Sequence, residues 1–196
     1  MKNRTLLIPV VAIFALTLFI LSGTGMNKSN SGNTGTTESF SPFSASVEVT
    51  ESNRDRTHTF NLFSDGERTL LDGYFSIDHE RYPGKILFDG TNSYLFRPEP
   101  DQAVVYPDEN QVIYGFLPAS VVMNDNYDSG INITVSKKDE TGFPIEYEVE
   151  YWQGGEKQRS VVSYSKIVRS NEAINEIDFT LPLDTKYISM EEYIKV

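Results

Sequence analysis

The chain has 196 residues, with 12 Phe and 11 Tyr against 1 Trp, no cysteine, and 28 acidic against 17 basic residues, a net charge of −11. Lack of cysteine excludes disulfides, thiolate zinc sites and a cysteine nucleophile, and leaves the redox compartment open. The acidic balance repels nucleic acid and anionic lipid surfaces, and two of the basic residues, Lys2 and Arg4, belong to the leader, so the body is more acidic still.

From Met1 to Gly25 two basic residues precede an apolar run, Leu6 to Leu21, broken only by Pro9 and Thr17. This pattern is an export signal. Its length lies between the core of about 7–15 residues of a signal peptide and the roughly 20 residues of a transmembrane helix. Gly23 and Gly25 offer a small-x-small cleavage site, whereas the lack of an A-x-A sequence suits an uncleaved, inside-positive anchor, so both fates stay open. Leu21-Ser22-Gly23 reads like the start of a lipobox, but Thr24 stands where the lipidated thiol is needed. Met26 to about Ser39 is almost wholly Asn, Ser, Gly, Thr and Lys, too poor in apolar groups to offset the entropy of ordering it. The expected organisation is a signal peptide or anchor over 1–25, a flexible linker over 26–44 and one folded domain over 45–196. The domain is exported, either tethered to the membrane facing outside or secreted or periplasmic after cleavage.

In the body, Val47 to Val49, Thr57 to Phe63 and Thr69 to Ile77 read as a meander, with Asp65-Gly66 as a tight turn. Along the third piece, Thr69, Leu71, Gly73, Phe75 and Ile77 share a face. Lys85 to Phe88, Ser93 to Arg97 and Ala103 to Tyr106 follow, separated by Asp89-Gly90 and by Pro98-Glu-Pro100-Asp101. Asp108 to Asn124 breaks the pattern. Val112, Ile113, Phe116, Leu117 and Val121 approximate helical spacing, while Gly115 and Pro118 limit it to one or two short turns. Strands resume at Ile131, Ile133 and Val135, turn at Asp139 to Gly142, and continue in Ile145 to Trp152, where Glu146, Glu148 and Glu150 form a wet, edge-protecting face. Gly154-Gly155 turns the chain into Ser160 to Val168, and Ile177, Phe179 and Leu181 signal a last strand ended by Pro182. The sum is a mainly β domain: an antiparallel sheet of about nine to ten strands, large enough to curl, with one or two short helices.

Chemistry-bearing motifs are sparse. His58 lies in a strand and His79 at a strand end, with nothing to bring them together, and a lone histidine is usually a surface or packing residue. Asp125 to Gly130 resembles the start of a calcium loop, but Tyr127 and Ser136 occupy positions where carboxylates are needed. Asn27-Lys28-Ser29 and Asn132-Ile133-Thr134 match the glycosylation sequon. No nucleophile elbow, phosphate loop or dinucleotide fingerprint is present, so no catalytic residue, metal ligand or cofactor is expected.

The order of the pieces carries more. Phe88-Asp-Gly-Thr-Asn-Ser-Tyr-Leu-Phe-Arg-Pro98 followed by Gln102 to Tyr106 resembles the mid-domain passage of the lipoprotein-carrier superfamily of LolA, LolB, LprG and RseB. Gly142-Phe-Pro144 leading into a strand, a hairpin partner and Ile177 to Pro182 is similar to that family's closing pattern. The resemblance spans about Val47 to Pro182 and implies a strongly curved antiparallel sheet, an unclosed barrel, whose apolar hollow is lidded by helices and shelters acyl chains or a partner's peptide. The chain departs from the family in lacking a helix before the first strand and in having a short, Pro118-interrupted middle helix. An aromatic inner face drawn from Phe75, Phe88, Tyr94, Phe96, Tyr147 and Tyr151 is the expected ligand-binding surface, with a plain hydrophobic core as the simpler reading.

The functional expectation is a non-enzymatic extracytoplasmic carrier for lipid, lipoprotein or another apolar ligand. The alternative is a protein-interaction or envelope-sensing module on the same sheet, docking an envelope protein at a strand edge. A hydrolase would need a cleft with coupled carboxylates.

Overall fold

A computed structural model describes residues 42–77, 79–97, 102–106, 112–125, 127–182, 184–189 and 192. The expected leader helix and most of the tether fall on residues 1–41, outside the described residues, as does the Pro98–Asp101 turn. Among the described residues no helix is long and apolar enough to cross a membrane.

The first six strands, β1 (Phe43–Glu51), β2 (Arg56–Ser64), β3 (Thr69–Ile77), β4 (Glu80–Phe88), β5 (Ser93–Arg97) and β6 (Gln102–Tyr106), form a meander. A helix α1 (Ala119–Met123) leads to β7 (Asn132–Lys138), β8 (Pro144–Gln153) and β9 (Glu156–Arg169), and a 3₁₀ turn (Asn171–Ala173) leads to β10 (Lys186–Ser189). All ten belong to one sheet in the order β10-β6-β5-β4-β3-β2-β1-β9-β8-β7. It is open, with β10 and β7 at its edges, and is not closed into a barrel. The long pairing of β9 with β1 joins the two meanders, from Glu51 opposite Ser160 to Phe43 opposite Arg169. β1 begins at Phe43, two residues before the expected domain boundary, and buries that ring in the core.

Three turns repeat one device. Asp65 Oδ1 accepts from the amides of Glu67 and Arg68 at 3.0 and 2.6 Å. Asp89 Oδ1 accepts from those of Thr91 and Asn92 at 2.9 and 2.7 Å, and Asp139 Oδ1 from those of Thr141 and Phe143 at 2.8 and 3.1 Å. Each carboxylate holds amides that the turn would otherwise leave unpaired, the reason Asp opens such turns. At the β8–β9 hairpin, Gly154 and Gly155 both have positive φ, 63° and 81°, as the tight mirror-image turn requires.

Three expectations are corrected. The sheet is mixed, because β10 runs parallel to β6. Ile177, Phe179 and Leu181 form no strand: they pack on one face of the sheet against Leu87, Tyr94, Phe63, Leu70, Phe96 and Val105. Their period-two apolar pattern is satisfied by lying across the sheet rather than within it, and the chain thereby reaches the far edge in the sense that makes β10 parallel. This covering also explains why Ile86, Leu87 and Phe88 are buried in succession, with side chains on both faces enclosed. The three glutamates of β8 are likewise not at an edge. β8 is second from the edge, and Glu146 accepts from the Ser136 hydroxyl at 2.7 Å, Glu148 pairs with Arg159, and Glu150 lies 2.8 Å from Lys157. The edge is β7, where Lys137 and Lys138 are exposed, a placement that discourages a further strand from adding.

The opposite face, here the inner face, carries the main core: Phe43, Val47 and Val49 of β1, Phe60 and Leu62 of β2, Leu71 and Phe75 of β3, Ile86 and Phe88 of β4, Tyr147, Val149 and Tyr151 of β8, and Val162 and Tyr164 of β9. Over it lies the segment 112–124.

Candidate functional site

Segment 112–124 opens with a tight turn. Ile113 and Phe116 exchange both backbone hydrogen bonds at 3.0 Å, and the two central residues, Tyr114 and Gly115, have φ of 49° and 73°. Both positive angles define the mirror-image turn, and glycine at the second position also answers a steric demand, since a Cβ there would lie 2.7 Å from Ser160 Cβ. Pro118 then starts α1, whose Val122 amide donates to the Pro118 carbonyl at 3.1 Å. Ile113, Phe116, Leu117, Ala119, Val121 and Val122 are all buried against the inner face. The helical spacing read in the sequence is thus a single helical turn preceded by a hairpin turn that offers its apolar groups to the same surface.

Hydroxyl groups of the sheet hold this segment by its carbonyls. Ser160 Oγ donates to the Gly115 carbonyl and the Tyr147 hydroxyl to that of Leu117, each at 2.5 Å, with the Tyr164 hydroxyl 3.2 Å from Tyr147. Burial, with Tyr164 beside it, keeps the Tyr147 phenol protonated far above its ordinary 10.0, so it stays a donor at any working pH. Tyr147→Phe leaves the Leu117 carbonyl unpaired in the core and lowers the unfolding free energy by about 1–3 kcal/mol, measurable as a shift in a urea denaturation midpoint. The space between Phe43, Leu62, Ala119, Phe143 and Tyr164 holds about 10 Å³, room for roughly one water.

Of the six aromatic residues expected to form one surface, the structure brings four together and separates two. Phe75, Phe88, Tyr147 and Tyr151 belong to the inner core, with Phe88 5.7 Å from Phe116 and Phe75 4.4 Å from Tyr114 between ring centroids. Tyr94 and Phe96 stack 6.5 Å apart on the outer face, under Phe179. The reason is register: Tyr94 pairs with Leu87 and Phe96 with Lys85, whereas the inward residues of that region are Ile86 and Leu95. A one-residue difference in phase places a side chain on the other side of the sheet.

One polar cluster escaped the sequence reading. Glu51 ends β1, His58 follows the start of β2, and Tyr151 lies near the end of β8, all facing inward at one end of the sheet. His58 is 0% exposed and Glu51 3%. The Ser76 amide donates to His58 Nδ1 at 2.9 Å, which leaves the ring proton on Nε2, and Nε2 lies 3.6 Å from Glu51 Oε2. The Tyr151 hydroxyl donates to Glu51 Oε1 at 3.3 Å. Tyr114, Phe75 and Phe60 surround the imidazole, at 5.6, 6.0 and 6.4 Å between ring centroids. Phase carried the missing signal: Glu51 continues the alternation of Ala45, Val47 and Val49, and His58 that of Phe60 and Leu62.

Burial pushes the Glu51 carboxyl up, but His58 and the guanidinium groups of Arg54 and Arg56 outweigh it and hold the pKa below its ordinary 4.5. Burial and the Glu51 charge together raise the Tyr151 phenol. A depressed carboxylate stabilises the fold above its unfolded pKa, and that contribution disappears as the pH falls through the folded value. Glu51→Gln is therefore expected to cost stability at neutral pH, and the gap from wild type to narrow as the pH drops below 4.5, in paired thermal melts across an acid series.

The fold and site thus define a mainly β protein with an open ten-stranded mixed sheet and a short segment packed over its main apolar face. No family model and no curated protein matches the chain. Among solved structures it is similar to the crystal structure of an uncharacterized conserved protein from Thermus thermophilus, at 9% sequence identity and a TM-score of 0.41, with 78% of this chain and 92% of that chain covered.

Proposed function

We propose that the chain is an exported, non-enzymatic binding protein of the carrier type, holding lipid, the acyl part of a lipoprotein or another apolar ligand on the inner face where residues 112–124 lie. The observation that carries this reading is the nature of that segment. A helix of five residues has no independent stability, and its N-terminus has no side-chain cap, so its contacts with the sheet, apolar packing and the bonds from Ser160 and Tyr147 to the residues before it, keep it ordered. A ligand that takes over this packing releases it.

Strong curvature of the sheet supports the same reading. β4 and β8 are five strands apart in the order, about 24 Å if flat. Yet Phe88 of β4 packs on Phe116 while Tyr147 of β8 bonds to Leu117, two adjacent residues. A bent layer reaches one short segment from both sides, and a hollow results if the segment leaves. The resemblance of the strand order to the lipoprotein-carrier superfamily, and the leader at Met1 to Gly25, support a carrier that works outside the cytoplasm. Native mass spectrometry of protein purified from its own membranes tests the proposal. The expected spectrum carries an apolar adduct; protein free of adduct that also fails to take up a hydrocarbon probe would contradict it.

A second reading, docking of an envelope protein, draws on Trp152, which is 66% exposed beside the β8–β9 turn. Trp is enriched at protein contact surfaces. In-cell crosslinking from position 152 yields one discrete protein product on this reading and none on the first.

A further inference from the structure

We infer that Glu51 and His58 form a head-group subsite at the end of the inner face, selective for an amphiphile bearing an uncharged hydroxyl group. The inference rests on the carrier reading and names the class of ligand for it.

Glu51 Oε2 and His58 Nε2 are buried and have no hydrogen-bond partner. The two meet only as a long ion pair at 3.6 Å, beyond hydrogen-bond reach, and buried polar groups whose hydrogen bonds are unmade are costly, so such a pair in an otherwise apolar wall calls for a reason. The neighbouring atoms of the pair already have partners: Glu51 Oε1 accepts from Tyr151 and His58 Nδ1 from Ser76. What remains is one acceptor and one donor, 3.6 Å apart. A single oxygen that both donates and accepts satisfies the two together, and a hydroxyl does so. A carboxylate or phosphodiester cannot donate and is repelled by Glu51. An ammonium has no lone pair for the Nε2 proton, and an ether or ester oxygen only accepts.

Access follows from the segment above. The Tyr114 ring covers the imidazole edge-on and Gly115 rests on Ser160. Release of the turn uncovers both the polar pair and the Ser160 hydroxyl, at the end of the apolar track formed by Phe60, Phe75 and Val49. Charged or titratable groups around the pair are Tyr151 of β8, Tyr114 of the segment, Arg54 of the β1–β2 connection and Arg56 at the start of β2; the two arginines bear on the Glu51 charge.

The test is displacement of a bound fluorescent hydrocarbon probe from the full chain by decanol, decyl methyl ether and decanoate, equal in chain length and different in head group. Decanol is expected to displace at about tenfold lower concentration than the ether or more, as one hydrogen bond to a buried charged group implies, and decanoate to be the weakest. In Glu51→Gln and His58→Phe the ratio of alcohol to ether falls toward one. Equal displacement by alcohol and ether in the wild type, or a preference for decanoate, overturns the subsite and leaves the carrier reading standing. Failure of the hydrocarbon probe to bind at all overturns the carrier reading, and the subsite with it. Since the wild-type ratio is decisive alone, a variant that does not fold leaves the outcome intact.

Discussion

Phe116→Ala is expected to lower the unfolding free energy by about 3–5 kcal/mol, with the urea midpoint shifted and its slope unchanged. Phe116 is fully enclosed, pairs its backbone with Ile113 on both sides of the tight turn, and packs at a tilt on Phe88 from the distant β4. Truncation removes the contact with Phe88 and the rest of the enclosing core, and the flanking backbone, locked into the turn, cannot collapse into the space. A domain of this kind has only about 5–15 kcal/mol in total, so the variant stands close to the unfolding threshold. Phe96→Ala on the partly covered outer face is the comparison and is expected to cost clearly less, because its ring is only partly buried.

Gly73→Ala produces the second large loss, through the backbone. A Cβ at this position would sit 2.3 Å from the Thr59 carbonyl oxygen and 2.8 Å from Phe60 Cα. Both are main-chain atoms of β2, hydrogen-bonded in register with β3, so no rotamer relieves the overlap. The cost falls at the upper end of the roughly 1–3 kcal/mol typical of overpacking or beyond it. Gly130→Ala is the internal control. Nothing lies within 4 Å of the added methyl, and its effect is expected to be neutral or mildly stabilising, by about 0.4–1 kcal/mol, because alanine restricts the unfolded chain. If the two substitutions behaved alike in thermal melts, the tight β2–β3 approach at Gly73 would be disproved.

Much of the sheet was legible because local chemistry and tertiary role agree there. Asp65, Asp89 and Asp139 announce their turns by a carboxylate that must find amides, and the Gly154-Gly155 pair announces its hairpin by the angles it permits. Alternation in Ile145 to Trp152 located β8 and its inward face correctly. The failures share one cause. Ile177, Phe179 and Leu181 alternate as a strand does, but periodicity reports only that one side is apolar and not whether the segment lies within a sheet or across one. Aromatic character alone points Tyr94 and Phe96 inward, whereas strands covered on both faces carry apolar groups in both phases, so residue type no longer marks the inner side. The same blindness hid the polar cluster. Glu51 and His58 stand in apolar phase, but a charged residue at a strand end reads as solvent-facing unless the opposing strand, here β8 with Tyr151, is already known to arrive from about 100 positions away in the chain.

These points converge on segment 112–124, the element whose sequence is least regular and whose packing decides what the inner face is for. Amide hydrogen exchange at Phe116 and Val122, with and without a saturating hydrocarbon probe, addresses it most directly. The Phe116 amide bonds to Ile113 and the Val122 amide to Pro118, both inside the segment, so their protection reports its docking. The account predicts that probe binding speeds exchange at these two amides while amides of β1 and β9 keep their protection. Undiminished protection at Phe116 and Val122 with the probe bound would contradict it.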